Sequence, residues 1–202
     1  KLAWMDRLNR HARGLLKLEE PLVLTGDFNV IPEARDAEFP ANWEGDALFR
    51  PQTREAFRAL KYLGLSDAYL EADGAPGAYT FWDYQAGAWQ RNNGIRIDHA
   101  LLSPQAADRL AGVSIHRDVR SWDKPSDHVP FVVELELEAE NSFNPLRYNI
   151  FRHGGARPSH PWTPVVAGCA RPTPCPIWRS PCSWMAGTSP AMRIQFLTIA
   201  SS

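Results

Sequence analysis

Three short stretches carry side chains whose types and spacing suit work on a phosphate ester. The first is Gly26-Asp27-Phe28-Asn29, at the end of the apolar run Leu22-Val23-Leu24-Thr25. That run, bounded by Pro21 and Gly26, predicts a short buried strand, with Gly26 letting the backbone turn sharply. Residues two apart on an extended segment share a face, so Asp27 and Asn29 present a carboxylate and an amide side by side. Such a pair suits a hard divalent cation and phosphate oxygens, although a strand followed by an Asx turn reads the same way. The second stretch is Arg96-Ile97-Asp98-His99, where alternation puts Arg96 and Asp98 on one face of a strand about to enter the core. A carboxylate there must be paired or hydrogen-bonded, and a salt bridge around Arg96 is one way to do it.

The third stretch, Ser126-Asp127-His128-Val129-Pro130, sits at the mouth of the last strand. Histidine is the usual general base near neutral pH, and a carboxylate on its second nitrogen fixes its tautomer and raises its basicity. Asp127 is adjacent and so badly placed for that task; Asp98, on a neighbouring strand, is the better candidate. An isolated Asp-His pair is also a common surface turn.

The elements that must position these residues follow from periodicity. Leu2, Met5, Leu8, Ala12, Leu15 and Leu16 predict an amphipathic helix over 2–18, followed by the strand ending at Asp27. Residues 31–51 are irregular, with Pro32, Pro40, Gly45 and Pro51 as punctuation. Thr53 as a cap, Ala56, Phe57, Leu60 and Leu63 predict a helix ending at Gly64, and 65–70 is ambiguous. The aromatic run 78–84 favours strand, as do 95–102, 113–119 and 129–137, with a short helix from Gln105 to Leu110 after Pro104. Helices and strands in this order predict an α/β fold.

Composition narrows the class. A chain of 202 residues that is 44% hydrophobic and 22% charged suits one globular domain with an appendage, and no run of 18 apolar residues marks a membrane span. The start at Lys1 has no signal-like character, and the chain reads as a piece of something longer. Beyond Glu140 the grammar changes. Residues 141–202 hold nine of the 17 prolines, six arginines and all three cysteines (Cys169, Cys175, Cys182), with no Lys, Asp or Glu. We expect an irregular tail there, disordered or translated out of frame, with a basic Pro-rich docking tail as the alternative. All 23 acidic residues lie in 1–140, so a phosphodiester would need a local metal and a local basic rim. The odd cysteine count fits neither a disulfide framework nor a zinc site, and the cysteine-free body is compatible with a reducing compartment such as the cytoplasm.

Taken in order, the three stretches resemble the endonuclease/exonuclease/phosphatase superfamily. Tyr79-Thr80-Phe81-Trp82-Asp83-Tyr84, Asn92-Asn93-Gly94-Ile95-Arg96-Ile97-Asp98 and Ser121-Trp122-Asp123-Lys124-Pro125 are similar to its exodeoxyribonuclease III and AP endonuclease branch. The likeness runs from about Leu2 to Leu137. It implies the C-terminal half of a four-layered α/β/β/α sandwich of the DNase I type, with the active site in the crevice between two halves. It implies Mg²⁺ or Mn²⁺ as cofactor and double-stranded DNA with abasic sites or 3′ ends as partner. By the same resemblance Asp27 positions or deprotonates water, Asn29 holds the phosphate, Asp98 orients His128, and His128 acts as base or charge stabiliser. Asp27, Asn29, Asp127 and His128 would lie at the metal. Trp82 would pack on a sugar lacking its base, with core packing as the alternative, and Arg91, Arg96 and Lys124 would contact phosphates, with a solvated basic rim as the alternative. The family's metal-binding glutamate, an early asparagine and a tyrosine belong to the first half and have no counterpart here. The reading is therefore a DNA nuclease fragment expected to be inactive alone. A non-catalytic remnant or DNA-binding fragment, and a phosphatase on lipid or inositol phosphates, stand as alternatives.

Overall fold

In the computed structural model, which describes residues 1–137 and the strand 192–198, the chain opens with helix α1, Leu2–Leu16. Its buried stripe of Met5, Leu8 and Ala12 packs on Leu24, Phe28, Phe57, Leu60 and Leu101, forming the first of two main cores. Helix α2, Pro51–Lys61, supplies Phe57 and Leu60 to the same core. Its start lies earlier than expected: Pro51 takes the first turn, where its missing N–H costs nothing. Thr53 is inside the helix and donates its hydroxyl to the Ala47 carbonyl at 2.9 Å rather than capping.

The first sheet has the order β1-β3-β2, with β1 Val23–Asp27, β2 Ser66–Asp67 and β3 Asp98–Leu102, all antiparallel. Every residue of β3 is buried, which explains its unbroken apolar run after His99. Leu101 faces the first core, whereas Ala100 and Leu102 face the second. That second core is closed by helix α3 (Ala68–Ala72), helix α4 (Pro104–Ala107) and the inward residues Phe131, Val133 and Leu135 of strand β5 (Phe131–Leu137). The second sheet has the order β4-β5-β6, with β4 Leu110–Ile115, β5 Phe131–Leu137 and β6 Met192–Thr198.

Several boundaries differ from the sequence expectation. The 65–70 stretch resolves as β2 followed by α3, with the Asp67 carboxylate capping the helix through the Tyr69 N–H at 3.1 Å. Residues 78–84 form no strand; Phe81 makes only isolated bridges to Ile95 and His128. Residues 95–97 precede β3 because their backbone groups turn to Phe81 and Asp36 instead of a ladder. Strand β6 was not anticipated, although Met192, Ile194 and Phe196 alternate with Arg193 and Gln195. It registers antiparallel to β5 from Phe131↔Thr198 to Leu137↔Met192. The rest of the expected tail lies outside the described residues. Among the described residues, no helix is long and apolar enough to cross a membrane.

A buried ionic cluster ties the irregular 31–51 segment to both β2 and the entrance of β3. Arg96, 1% exposed, donates from Nε to Asp36 Oδ1 at 2.8 Å and from Nη1 to Asp67 Oδ2 at 2.9 Å. Its Nη1 also reaches His99 Nδ1 at 3.1 Å, which makes Nδ1 the acceptor and leaves Nε2–H to donate to the Val30 carbonyl at 2.9 Å. Burial pushes the Asp67 carboxyl up, but Arg96 and His99 outweigh it and hold it below the usual range. Burial, helped by the Arg96 charge, pushes His99 down to about 4.

Arg96→Met leaves two carboxylates buried without their cation and is expected to cost on the order of 3–5 kcal/mol in urea unfolding, against under about 0.5 for the exposed Arg91→Ala. His99 stays neutral in the folded chain down to about 4 and charges near 6.5 when unfolded. Between those values the unfolded state binds more protons, so stability falls as pH drops through that window. Urea midpoints at pH 7 and pH 5 should show that slope, and His99→Gln should flatten it.

Candidate active site

The site forms where the ends of three segments meet. β1 ends at Asp27, which registers against Asp98 at the start of β3. Contrary to the expected turn at Gly26, that residue stays in the ladder opposite His99. The turn comes at Asn29, whose φ of 54° lies in the left-handed region that asparagine tolerates. Phe28 drops into the first core against Phe57 and His99, so Asp27 and Asn29 remain on the opposite face. The Asn29 backbone N–H donates to Asp27 Oδ1 and its side-chain amide donates to Asp27 Oδ2, both at 2.7 Å.

His128 comes from the approach to β5. Its Nδ1–H donates to Asp98 Oδ2 at 2.8 Å, and its Nε2 lies 4.0 Å from Asp27 Oδ2. The Asp98 side chain is 1% exposed and that of His128 11%. Asp98 Oδ1 is buried and has no hydrogen-bond partner among the described residues. Burial pulls the His128 pKa down, but the Asp98 hydrogen bond and the charges of Asp98, Asp27 and Asp127 overcome it, so the net shift is upward. The imidazole is therefore held in one tautomer and biased towards its cationic form, with one nitrogen turned to the cleft.

Two residues that the sequence did not single out hold this arrangement. Thr80 is fully buried; its hydroxyl oxygen accepts the N–H groups of Ile97 and Asp98, both at 3.2 Å. Its carbonyl accepts the Val129 N–H at 2.8 Å. One threonine thus fastens the Asp98 segment to the His128 segment. Phe81, the next residue, stands edge-on to the His128 ring at 5.0 Å.

Three assignments need correction. Trp82 is wholly buried, packed against Tyr79, Trp89 and Val129, and cannot meet a sugar. Gly94 seals it in, since a Cβ there would fall 2.6 Å from the indole nitrogen. Arg96 is enclosed by Asp36 and Asp67 and cannot reach a phosphate; Arg91 and Lys124 are exposed. The metal set Asp27, Asn29, Asp127 and His128 does not close either. Among the described residues no three acidic, histidine or cysteine side chains converge to hold an ion. Both Asp27 oxygens accept from Asn29, His128 Nδ1 is taken by Asp98, and Asp127 accepts from the Ser126 hydroxyl at 3.3 Å. These residues do not by themselves fit a divalent cation, which needs several oxygen ligands at once.

Residues 1–128 match the Endonuclease/Exonuclease/phosphatase family. The chain belongs to that family. It is 34% identical over 138 residues to an exodeoxyribonuclease of Bacillus subtilis, covering 67% of this chain and 51% of that protein. It is 32% identical over 123 residues to exodeoxyribonuclease III of Haemophilus influenzae, covering 57% and 46%. A solved 3′ phosphatase from Neisseria, bound to a product DNA hairpin, superposes with a TM-score of 0.65 at 32% identity over 67% of this chain and 52% of that one. The chain spans about half the length of these relatives, and its two sheets with flanking helices make up half of a DNase I-like sandwich. The likeness lies within the exodeoxyribonuclease III and AP endonuclease branch.

Titrating the imidazole by NMR should place His128 above 6.5, and Asp98→Asn should bring it down. Because the folded value is raised, the stability the pair contributes is present in full below 6.5 and is lost as pH climbs through that folded value. Thr80→Val, which leaves two buried N–H groups without their acceptor, should lower stability by about 1–3 kcal/mol and shift the His128 titration downward as Asp98 loosens.

Proposed function

We propose that this chain carries half of the catalytic site of an exodeoxyribonuclease III-like hydrolase. The activity is 3′-to-5′ exonuclease and abasic-site endonuclease cleavage of double-stranded DNA, in base excision repair in the cytoplasm. The observation that carries this reading is the alignment of Asp98, His128 and Asp27, with hydrogen-bond contact on one side of the imidazole and a 4.0 Å gap on the other. That gap is too wide for a direct hydrogen bond, yet an oxygen atom seated beside it lies within reach of both groups.

In this reading a phosphate oxygen approaches His128 Nε2, where the imidazolium stabilises the charge that develops on phosphorus. Asp98 keeps the ring oriented and favours its cationic form. Asp27 positions the attacking water and takes its proton as the bond from water oxygen to phosphorus forms and the bond to the leaving oxygen breaks. Asn29, hydrogen-bonded to Asp27, aligns that carboxylate and reaches the phosphate. Mg²⁺ or Mn²⁺ belongs to this chemistry, and its remaining ligands would come from an N-terminal half of the same fold. Since the described residues alone do not converge on an ion, we propose that the chain by itself does not turn over.

The test is nicking of a duplex oligonucleotide carrying one abasic-site analogue. The folded chain alone should not nick. Adding the N-terminal half of the Bacillus subtilis exodeoxyribonuclease should restore cleavage that EDTA abolishes. Asp27→Ala in the complemented pair should cut the rate by about 10²- to 10⁴-fold. Nicking by the chain alone that survives Asp27→Ala would sink the proposal, and complementation that never restores cleavage would leave a non-catalytic remnant. A 3′-phosphorylated end is the second substrate to assay, since the Neisseria neighbour is described as a 3′ phosphatase.

A further inference from the structure

Beside the site lies an open cleft of about 370 Å³ that neither the imidazole nor the carboxylates use. Asp83, Tyr84, Trp89, Gln90, Arg120 and Ser121 line it. It is built on the same backbone as the site. Trp82 N–H donates to the Asp127 carbonyl and the Tyr84 hydroxyl donates to the Pro125 carbonyl, both at 2.9 Å. The segment 81–84 therefore presents Phe81 to His128 at one end and Tyr84 to the cleft at the other.

The chemistry of the lining points to one kind of occupant. Arg120 is 7% exposed, with its guanidinium over the Tyr84 ring at 4.9 Å and its Nη2 donating to the Trp82 carbonyl at 3.1 Å. Its Nε is buried without a hydrogen-bond partner among the described residues, a state that costs free energy unless an acceptor arrives. Tyr84 is nonetheless 57% exposed, so an aromatic surface backed by a cation stands open to solvent. One arginine and one aspartate leave the lining without net charge, which disfavours an isolated anion. The volume is that of a small-molecule site. Donors, acceptors and an aromatic face together match a flat heterocycle that carries carbonyl and amine edges.

We propose that this cleft holds one unstacked nucleobase of a DNA strand whose phosphate lies at His128. The inference rests on the DNA reading above and adds a base subsite to it. Stacking on Tyr84 supplies affinity whatever the base, and Asp83, Gln90 and Arg120 offer edge contacts.

The experiment compares two fluorescent single strands by anisotropy at low salt: a short oligothymidylate and its counterpart with the same phosphates but no bases. The intact chain should bind the base-bearing strand about tenfold more tightly. Tyr84→Ala and Gln90→Ala, both at the cleft, should each remove most of that preference, while His128→Ala should weaken both strands alike. If both strands bind equally, or the preference survives in both cleft variants while His128→Ala still weakens binding, the base subsite is wrong and the DNA reading stands. If neither strand binds, both fall.

Discussion

The arrangement depends on one buried guanidinium. Arg96 sits two residues before Asp98 and is held by Asp36 from the irregular segment and Asp67 from the start of α3. Its backbone N–H also donates to the Asp36 carbonyl at 2.8 Å. Three stretches distant in sequence are thereby brought to one point, and the chain leaves that point already aimed into β3. A buried ion pair gains little net stability over a well-packed apolar group, because desolvation offsets much of the attraction. What it does supply here is direction: two carboxylates and a planar fork admit few geometries. Asp98 inherits that direction.

The His128 imidazole is poised by a contest between burial and charge. Burial alone would neutralise it, as it does His99, which stands beside Arg96. His128 differs in its neighbours, since the Asp98 hydrogen bond and the charges of Asp98, Asp27 and Asp127 raise it, whereas the Arg96 charge lowers His99. Two histidines in one small fold thus carry opposite shifts for a reason visible in the charges around them. Thr80 sets the spacing that makes this possible. It spends its hydroxyl on the Asp98 strand and its carbonyl on the His128 strand, so both partners of the hydrogen bond answer to one rigid residue.

The half-length match to its relatives and the unclosed metal set tell a consistent story. In the proposed reading the site takes ligands from both halves of a sandwich, so this chain orients its own residues before any donor from an N-terminal half is present. Here the histidine, its carboxylate and the asparagine-braced Asp27 are all in place. The donors needed to hold a cation are not gathered among the described residues. Orientation and ligation are separable properties, and this chain has the first.

The sequence by itself determined the local part. Period-3.6 spacing located α1, apolar runs located β1 and β3, and the order of the three polar stretches named the family and put Asp27, Asn29, Asp98 and His128 together. Each rests on near neighbours in the chain or on a pattern repeated along it. What the tertiary structure alone decided were the questions of which side of the backbone is inside. For Trp82 the sequence left a sugar contact and core packing open, and for Arg96 a phosphate contact and a salt bridge; packing under Gly94 closed over the first and two distant aspartates enclosed the second. Thr80 and Phe81 carried no sequence signal of their own, because their roles exist only once residues 95–98 and 128–129 lie beside them. Long-range partners set burial, and burial decided which of the chemically able residues face the cleft.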